Sequence, residues 1–430
     1  MDERVYPRQR WSASIDIPGD KSLSHRALLF GALASGTSRV DHLLTGEDCL
    51  STMRCLEQLG VNFDRISDDS YLVKGKGFEG LKESFDILDA GNSGTTIRLM
   101  AGILAGLPFF SCMTGDGSLR KRPMKRVIEP LRQMGAMIWA RGGDQYAPMA
   151  FRGSSLKGVN YAMPVASAQV KSAIILAGLQ AEGETRISEP VKTRDHTENM
   201  IKAMGGGICV SGDEIIVSGK QSLKPFNFTV PGDFSSASYF LAASAALRDG
   251  WVKLKSVGVN ETRTGFMEIL KSMGAQITVE EMHEGIKGEP VADLISESGA
   301  LSAATVEGAM VPRCIDELPL LAVMATQAQG TTVVRDAREL RVKETDRIAA
   351  IAEELKKMGA EIEEREDGFE VSGPIQLKGA SVKSHGDHRI AMSLAVAALF
   401  ASGYTLIEDS DCVDISFPQF FTLLSSGSFQ

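Results

Sequence analysis

The chain has 430 residues, 43% apolar and 23% charged, which is ordinary for globular protein and enough for two or three domains with sizeable cores. A net charge of -9 argues against nucleic-acid binding, which needs clustered Lys and Arg, and leaves local basic loops suited to a small anionic substrate. Six Cys without a C-x-x-C pair predict reduced thiols in a cytoplasmic protein. The absence of an apolar stretch in residues 1–10, and of any 18-residue apolar span later, predicts neither secretion nor membrane insertion.

Taken in chain order, one phrase recurs six times: a strand-like stretch, a short polar loop, an Ala/Leu-rich helical run and a Gly. The runs close at Gly36, Gly106, Gly183, Gly250, Gly330 and Gly403, roughly 70 to 80 residues apart. They open on different chemistry: Lys21 and Ser22; Asn92, Ser93 and Gly94; Ser167 and Gln169; Asp233 to Ser236; Asp316 and Glu317; Asp387, His388 and Arg389. Because helix N-termini carry unpaired N–H groups and partial positive charge, such ends suit anionic ligands.

Amphipathic runs alternate with these and end in Leu59-Gly60, Met134-Gly135, Met204-Gly205, Met273-Gly274 and Met358-Gly359, with a last run from Phe417 to Gly427. Runs such as 239–247 and 390–400 are apolar all round and predict buried helices. The stretch 343–358 has a single apolar stripe and predicts a surface helix. The pattern gives an α/β (α+β) protein of two domains, three units in each. A near-duplicate, Ile15-Asp-Ile-Pro-Gly-Asp-Lys-Ser and Phe228-Thr-Val-Pro-Gly-Asp-Phe-Ser, marks the crossings: 1–18 plus 231–430 form one domain and 19–230 the other, with hinges near 18–20 and 230–233.

At the first helix start Lys21, Ser22 and Arg26 crowd together. A P-loop is excluded because position 14 is Ser where that motif needs Gly. Gly94 lets backbone approach a ligand without a Cβ. The stretch 115–126 carries five cations between Arg120 and Arg126 and reads as a solvated charge run or as a lid closing on phosphate or carboxylate. Ser167, Ala168 and Gln169 with Lys171 open the third buried helix, and Arg194 opens its amphipathic partner. On a helix, Lys343, Glu344 and Arg347 share one edge. Asp316 reads as a cap, or as a general base if it faces a hydroxyl. His385, Asp387 and His388 lack a fourth ligand, so no metal is expected.

The ordered set Pro18-Gly-Asp-Lys-Ser-Leu-Ser-His-Arg26, Gly91-Asn-Ser-Gly94-Thr-Thr, Arg122-Pro-Met, Ser167-Ala-Gln169, Arg341-Val-Lys-Glu-Thr-Asp-Arg347 and Gly386-Asp-His-Arg389 resembles the 5-enolpyruvylshikimate-3-phosphate synthase family along the whole chain. That resemblance implies two domains of three βαβαββ-type units around buried helices, an inside-out α/β barrel. It implies transfer of enolpyruvyl from phosphoenolpyruvate to the 5-hydroxyl of shikimate 3-phosphate, with no cofactor, by a monomer. Shikimate 3-phosphate would be held by Lys21, Ser22, Arg26, Ser167, Ala168, Gln169, Arg194, Asp316 and Lys343. Phosphoenolpyruvate would be held by Lys21, Gly94, Arg122, Gln169, Glu344, Arg347, His388 and Arg389. Asp316 is expected as base, and Glu344 with Lys21 as proton donor. Ile415 stands where some members have Lys, and Glu339 where others have Asn. The rival is the sister transferase acting on a UDP-amino sugar, which usually carries a Cys in the lid loop; residues 115–126 have none. A second rival is a module that only captures phosphorylated ligands.

Overall fold

The structure, a computed structural model, describes residues 1–427. The chain divides into two compact units: Met1–Pro18, Pro231–His283 and Pro290–Gln430 in one, Gly19–Val230 and Glu284–Glu289 in the other. The stretch Glu284–Glu289 thus groups with the second unit, although it lies within the 231–430 read for the first. Among the described residues no helix is long and apolar enough to cross a membrane. Among the described residues the six Cys form no disulfide, and burial pushes Cys55 up to about 12.

The unit Gly19–Val230 contains three four-stranded sheets. One runs Asn227–Thr229, Ser35–Asp41, Tyr71–Lys76, Asn62–Arg65; the next Leu88–Asp89, Phe110–Thr114, Tyr146–Arg152, Met137–Ala140; the third Asn160–Ala162, Glu184–Ser188, Glu214–Ser218, Ile208–Ser211. In each, the first pair is parallel and the others antiparallel. Three mostly buried helices, Lys21–Leu33, Gly94–Leu104 and Ala168–Gly178, form the centre of this unit's core. The last two cross closely because Gly102 has no side chain: a Cβ there would lie 2.2 Å from the Ala173 carbonyl oxygen.

In the other unit the strand Arg10–Asp16 pairs parallel with Asp249–Gly258, which pairs antiparallel with Pro290–Glu297. Thr305–Val306, Gly330–Val334, Gly368–Gly373 and Glu361–Arg365 make a second sheet, and Glu3–Val5, Thr405–Glu408 and Ser381–Lys383 a third. The buried helices are Phe234–Ala246, Leu318–Ala325 and His388–Leu399. Their core gathers aromatic rings, with Trp11 stacked on Phe240 at 5.9 Å and Phe417 edge-on to Phe240 at 5.9 Å. The protein is therefore a mixed α/β fold.

Two local expectations change. The apolar runs do not stay helical up to their closing glycines. The helices stop earlier, at Leu33 and Ala246 for example, with extended Ala34 and Leu247 as their C-terminal residues. Gly36, Gly183, Gly330 and Gly403 instead supply positive φ on the way into the next strand. The helix expected over 343–358 spans Arg347–Lys357, because the Asp346 side chain accepts the Ala349 N–H at 3.1 Å and fixes the start there. Lys343 is extended, so the shared helical edge with Glu344 and Arg347 does not exist.

Candidate active site

In the unit Gly19–Val230 two hydrogen-bonded groups collect the expected residues. The first centres on Arg26, which is buried at the second turn of Lys21–Leu33. Its guanidinium donates to the Ser22 carbonyl at 2.9 Å, to Ser172 Oγ at 2.9 Å and to Thr197 Oγ1 at 2.8 Å. One cation thereby joins its own helix to Ala168–Gly178 and to His196–Ala203. Asp20, not Ser22, caps the first helix by accepting the Leu23 N–H at 2.8 Å, so the Ser22 hydroxyl is not used as the cap. Ser167 sits at the N-cap position of the third helix without a side-chain capping bond, and Ala168 is the first helical residue. Arg194 is half-buried in the connection before His196–Ala203.

The second group surrounds Gly94. Ser93 caps the helix by accepting the Thr96 N–H at 3.0 Å, leaving Gly94 as its first residue. A Cβ on Gly94 would sit 2.9 Å from Arg98 Nη1 and 3.3 Å from Arg122 Nη1. Two guanidinium groups therefore converge where the missing side chain leaves room. Arg122 is 7% exposed and donates to Asn92 Oδ1 at 2.6 Å, whereas Arg120, Lys121 and Lys125 are exposed. The basic run thus divides into one buried cation, Arg122, a half-buried one, Arg126, and three that face solvent. Gln169 is drawn in through its Oε1, which accepts from Arg98 Nη1 at 2.5 Å, while its Nε2 donates to Thr95 Oγ1 at 3.0 Å. Lys21 pairs with Asp48, whose carbonyl accepts from Thr96 Oγ1 at 3.4 Å. Arg98 was not singled out from sequence, because it is one cation in an apolar run; its place one turn after Gly94 was the available signal.

The other unit carries the charged residues read from the C-terminal half. Arg347, 2% exposed, donates from Nε to Asp387 at 2.7 Å, from Nη2 to Glu344 at 2.6 Å and from Nη1 to Asp316 at 3.3 Å. Burial works against its charge, but these three carboxylates raise its pKa above the usual arginine value. Asp316 also lies 3.8 Å from Arg389 Nη2 and 3.8 Å from Arg263 Nη1. Asp316 is not a helix cap: Glu317 occupies the cap position of Leu318–Ala325 and makes no capping bond. Glu317 is buried, accepts from Ser235 Oγ, and stands 3.7 Å from Arg389 and 3.6 Å from Arg263. His388 opens the helix His388–Leu399, where the Asp387 side chain accepts the Arg389 N–H at 2.8 Å. Half-buried Lys343 has its pKa lowered by burial, with Asp316 acting in the opposite sense. Arg263 and Glu317 complete the cluster; the sequence offered no spacing that tied Arg263 to it.

These groups can bind anions through buried guanidinium forks and can exchange protons through Asp316 and Glu344. Comparison with solved structures gives the fold first. The enolpyruvyl transferase NikO from Streptomyces tendae matches at TM-score 0.77 over 99% of this chain and 96% of that one, and at 16% identity that likeness concerns the fold alone. A narrower match comes from the family model of EPSP synthase (3-phosphoshikimate 1-carboxyvinyltransferase), which covers residues 5–424. The chain is 50% identical over 421 residues to the 3-phosphoshikimate 1-carboxyvinyltransferase of Bacillus subtilis (strain 168), covering 98% of each. It is 52% identical over 422 residues to that of Gloeobacter violaceus, again over 98% of each. The EPSP synthase structure from Acinetobacter baumannii aligns at TM-score 0.89 and 42% identity, over 99% of this chain and 98% of that one. The chain belongs to the EPSP synthase family and is a transferase.

Proposed function

We propose that the protein transfers the enolpyruvyl group of phosphoenolpyruvate to the 5-hydroxyl of shikimate 3-phosphate and releases phosphate. The observation that carries the chemistry is that the single guanidinium of Arg347 holds both Asp316 and Glu344, at 3.3 and 2.6 Å. Lys21, Ser22, Arg26, Ser167, Ala168, Gln169 and Arg194, with Asp316 and Lys343, bind shikimate 3-phosphate. Gly94, Arg122, Lys21, Gln169, Glu344, Arg347, His388 and Arg389 bind phosphoenolpyruvate.

The acceptor hydroxyl oxygen bonds to C2 of phosphoenolpyruvate while its proton passes to Asp316, and C3 takes a proton from Glu344. The tetrahedral adduct carries phosphate and carboxylate on one carbon, a charge that preplaced Arg and Lys groups stabilise. Glu344 then recovers a proton from C3, the C2–C3 double bond reforms, and the C2–O bond breaks. Phosphate leaves with that electron pair and with the proton from Asp316. Anionic substrate groups that engage Arg347 and Arg389 compete with Asp316 and Glu344 for these guanidinium groups and release the carboxylates for the two proton transfers.

This reading also takes the chain as six βαβαββ-type units around buried helices, three to a unit, forming inside-out α/β barrels. The parallel-then-antiparallel sheet pattern supports it. It takes 18–20 and 230–233 as hinges of a cytoplasmic monomer. Purified protein given phosphoenolpyruvate and shikimate 3-phosphate should release inorganic phosphate only when both are present. Release that depends on a UDP-amino sugar instead, or no release with either acceptor, would refute the reaction.

A further inference from the structure

Behind the Arg26 group lies a charged cluster that the reaction itself does not use. Lys171, 0% exposed, is four residues into the helix that begins after Ser167. Its ammonium pairs with Glu189 Oε1 at 2.9 Å and Glu198 Oε1 at 2.7 Å, and donates to the Thr193 carbonyl at 3.4 Å. The other oxygen of Glu189 accepts both the N–H of Thr193, at 3.2 Å, and its hydroxyl, at 2.5 Å. The residue after Thr193 is Arg194.

Three elements meet at this ammonium: the helix led by Ser167, Ala168 and Gln169, the connection bearing Arg194, and the helix His196–Ala203, whose Thr197 receives Arg26. A connection between a strand and a helix is ordinarily mobile, and a long Arg on it loses conformational freedom on binding. A buried ion cluster of this kind is weak evidence for stability, since apolar residues of like volume often serve as well; fixing a geometry is a better reason for it. Its charge also fits. Burial lowers Arg26 to about 10 and Arg194 pushes in the same direction, while Glu198 opposes both. Glu198, whose own pKa burial raises and Lys171 lowers, is the member of the cluster that offsets the repulsion between Arg26 and Arg194.

We propose that Lys171, Glu189 and Glu198 are positioning residues that lock Thr193, and through it Arg194, at a fixed place relative to Ser167 and Arg26, so that the phosphate of shikimate 3-phosphate meets a preformed cradle. The proposal rests on the assignment of Arg194 to that phosphate. The informative variant is Lys171→Met/Glu189→Leu/Glu198→Leu, which removes the ammonium and both of its carboxylates together. Alongside wild type, Arg194→Ala and the combined variant, the readouts are the calorimetric Kd for shikimate 3-phosphate, the KM for phosphoenolpyruvate, kcat and the thermal midpoint. The expectation is a Kd raised about 10-fold or more, with KM for phosphoenolpyruvate and kcat within about twofold, and no further Kd change when the cluster is removed in the Arg194→Ala background. A folded cluster variant with wild-type Kd overturns the positioning role, and so does a Kd loss that persists in full without Arg194. If the triple variant does not fold, Thr193→Val takes its place in the same cycle, with a rise of about threefold expected and an unchanged Kd counting against the proposal. An Arg194→Ala variant with unchanged Kd removes Arg194 from the substrate site, which overturns the assignment and the proposal together while leaving wild-type turnover intact.

Discussion

Arg347 divides its guanidinium among Asp387, Glu344 and Asp316, whereas Arg122 donates to the neutral Asn92. The two arginines, both assigned to phosphoenolpyruvate, should therefore fail differently. Arg347→Lys keeps a charge but loses the planar fork that reaches several carboxylates, so kcat should fall about 100-fold in addition to any rise in KM. Arg122→Ala removes binding alone and should raise the KM for phosphoenolpyruvate about 10-fold or more, with kcat within about fivefold. Steady-state kinetics decide it; equal losses of kcat in both would place the two arginines in one role. This contrast was invisible in sequence, where each is simply an Arg in a basic stretch.

The element that concentrates most polar chemistry is the helix Lys21–Leu33, whose first two turns carry Lys21, Ser22, His25 and Arg26. His25 is fully buried, with Nδ1 on Thr52 Oγ1 at 2.7 Å. Burial first, then Lys21 and Arg26, hold its pKa well below the ordinary 6.5. The folded protein thus refuses a proton that the unfolded chain accepts below pH 6.5. Stability contributed by this neutral ring is present above that pH and declines as pH falls below it, by about 1.4 kcal/mol per unit. Urea midpoints at pH 7.5 and 5.5 should differ more in wild type than in His25→Asn; an equal difference would refute it. Helices of this kind were legible from their apolar runs, and the loop residues at their starts from the ordered motifs. Where the run 343–358 becomes a helix was not legible, because Asp346 decides it through one capping bond, and the neighbouring Thr345 offered a competing start. Arg98, Lys171 and Glu317 were hidden or undervalued for a related reason: a single charge in an apolar run looks like noise until tertiary structure brings its partner.

At the scale of the whole molecule each unit has its own core, one around Phe240, Trp11 and Phe417, the other around Phe30, Met100 and Phe151. Separate cores are separate cooperative systems. Phe240→Ala, at a site 0% exposed, should cost about 3–5 kcal/mol and lower hydrogen-exchange protection across 234–283 and 290–427 while peptides from 19–230 keep theirs. Uniform loss along the chain would show a single cooperative unit instead. The strand Arg10–Asp16 adds a consequence of another kind. Its parallel partner Asp249–Gly258 is made on the order of 230 residues later, roughly 10 to 50 s at ordinary elongation rates. Glu3–Val5 waits longer still, for Thr405–Glu408. On the ribosome, then, the unit built from Gly19–Val230 has most of its sequence available to fold first. Strand Arg10–Asp16 emerges long before its partner, leaving Trp11 and Ile15 exposed through much of translation as a natural target for a holding chaperone.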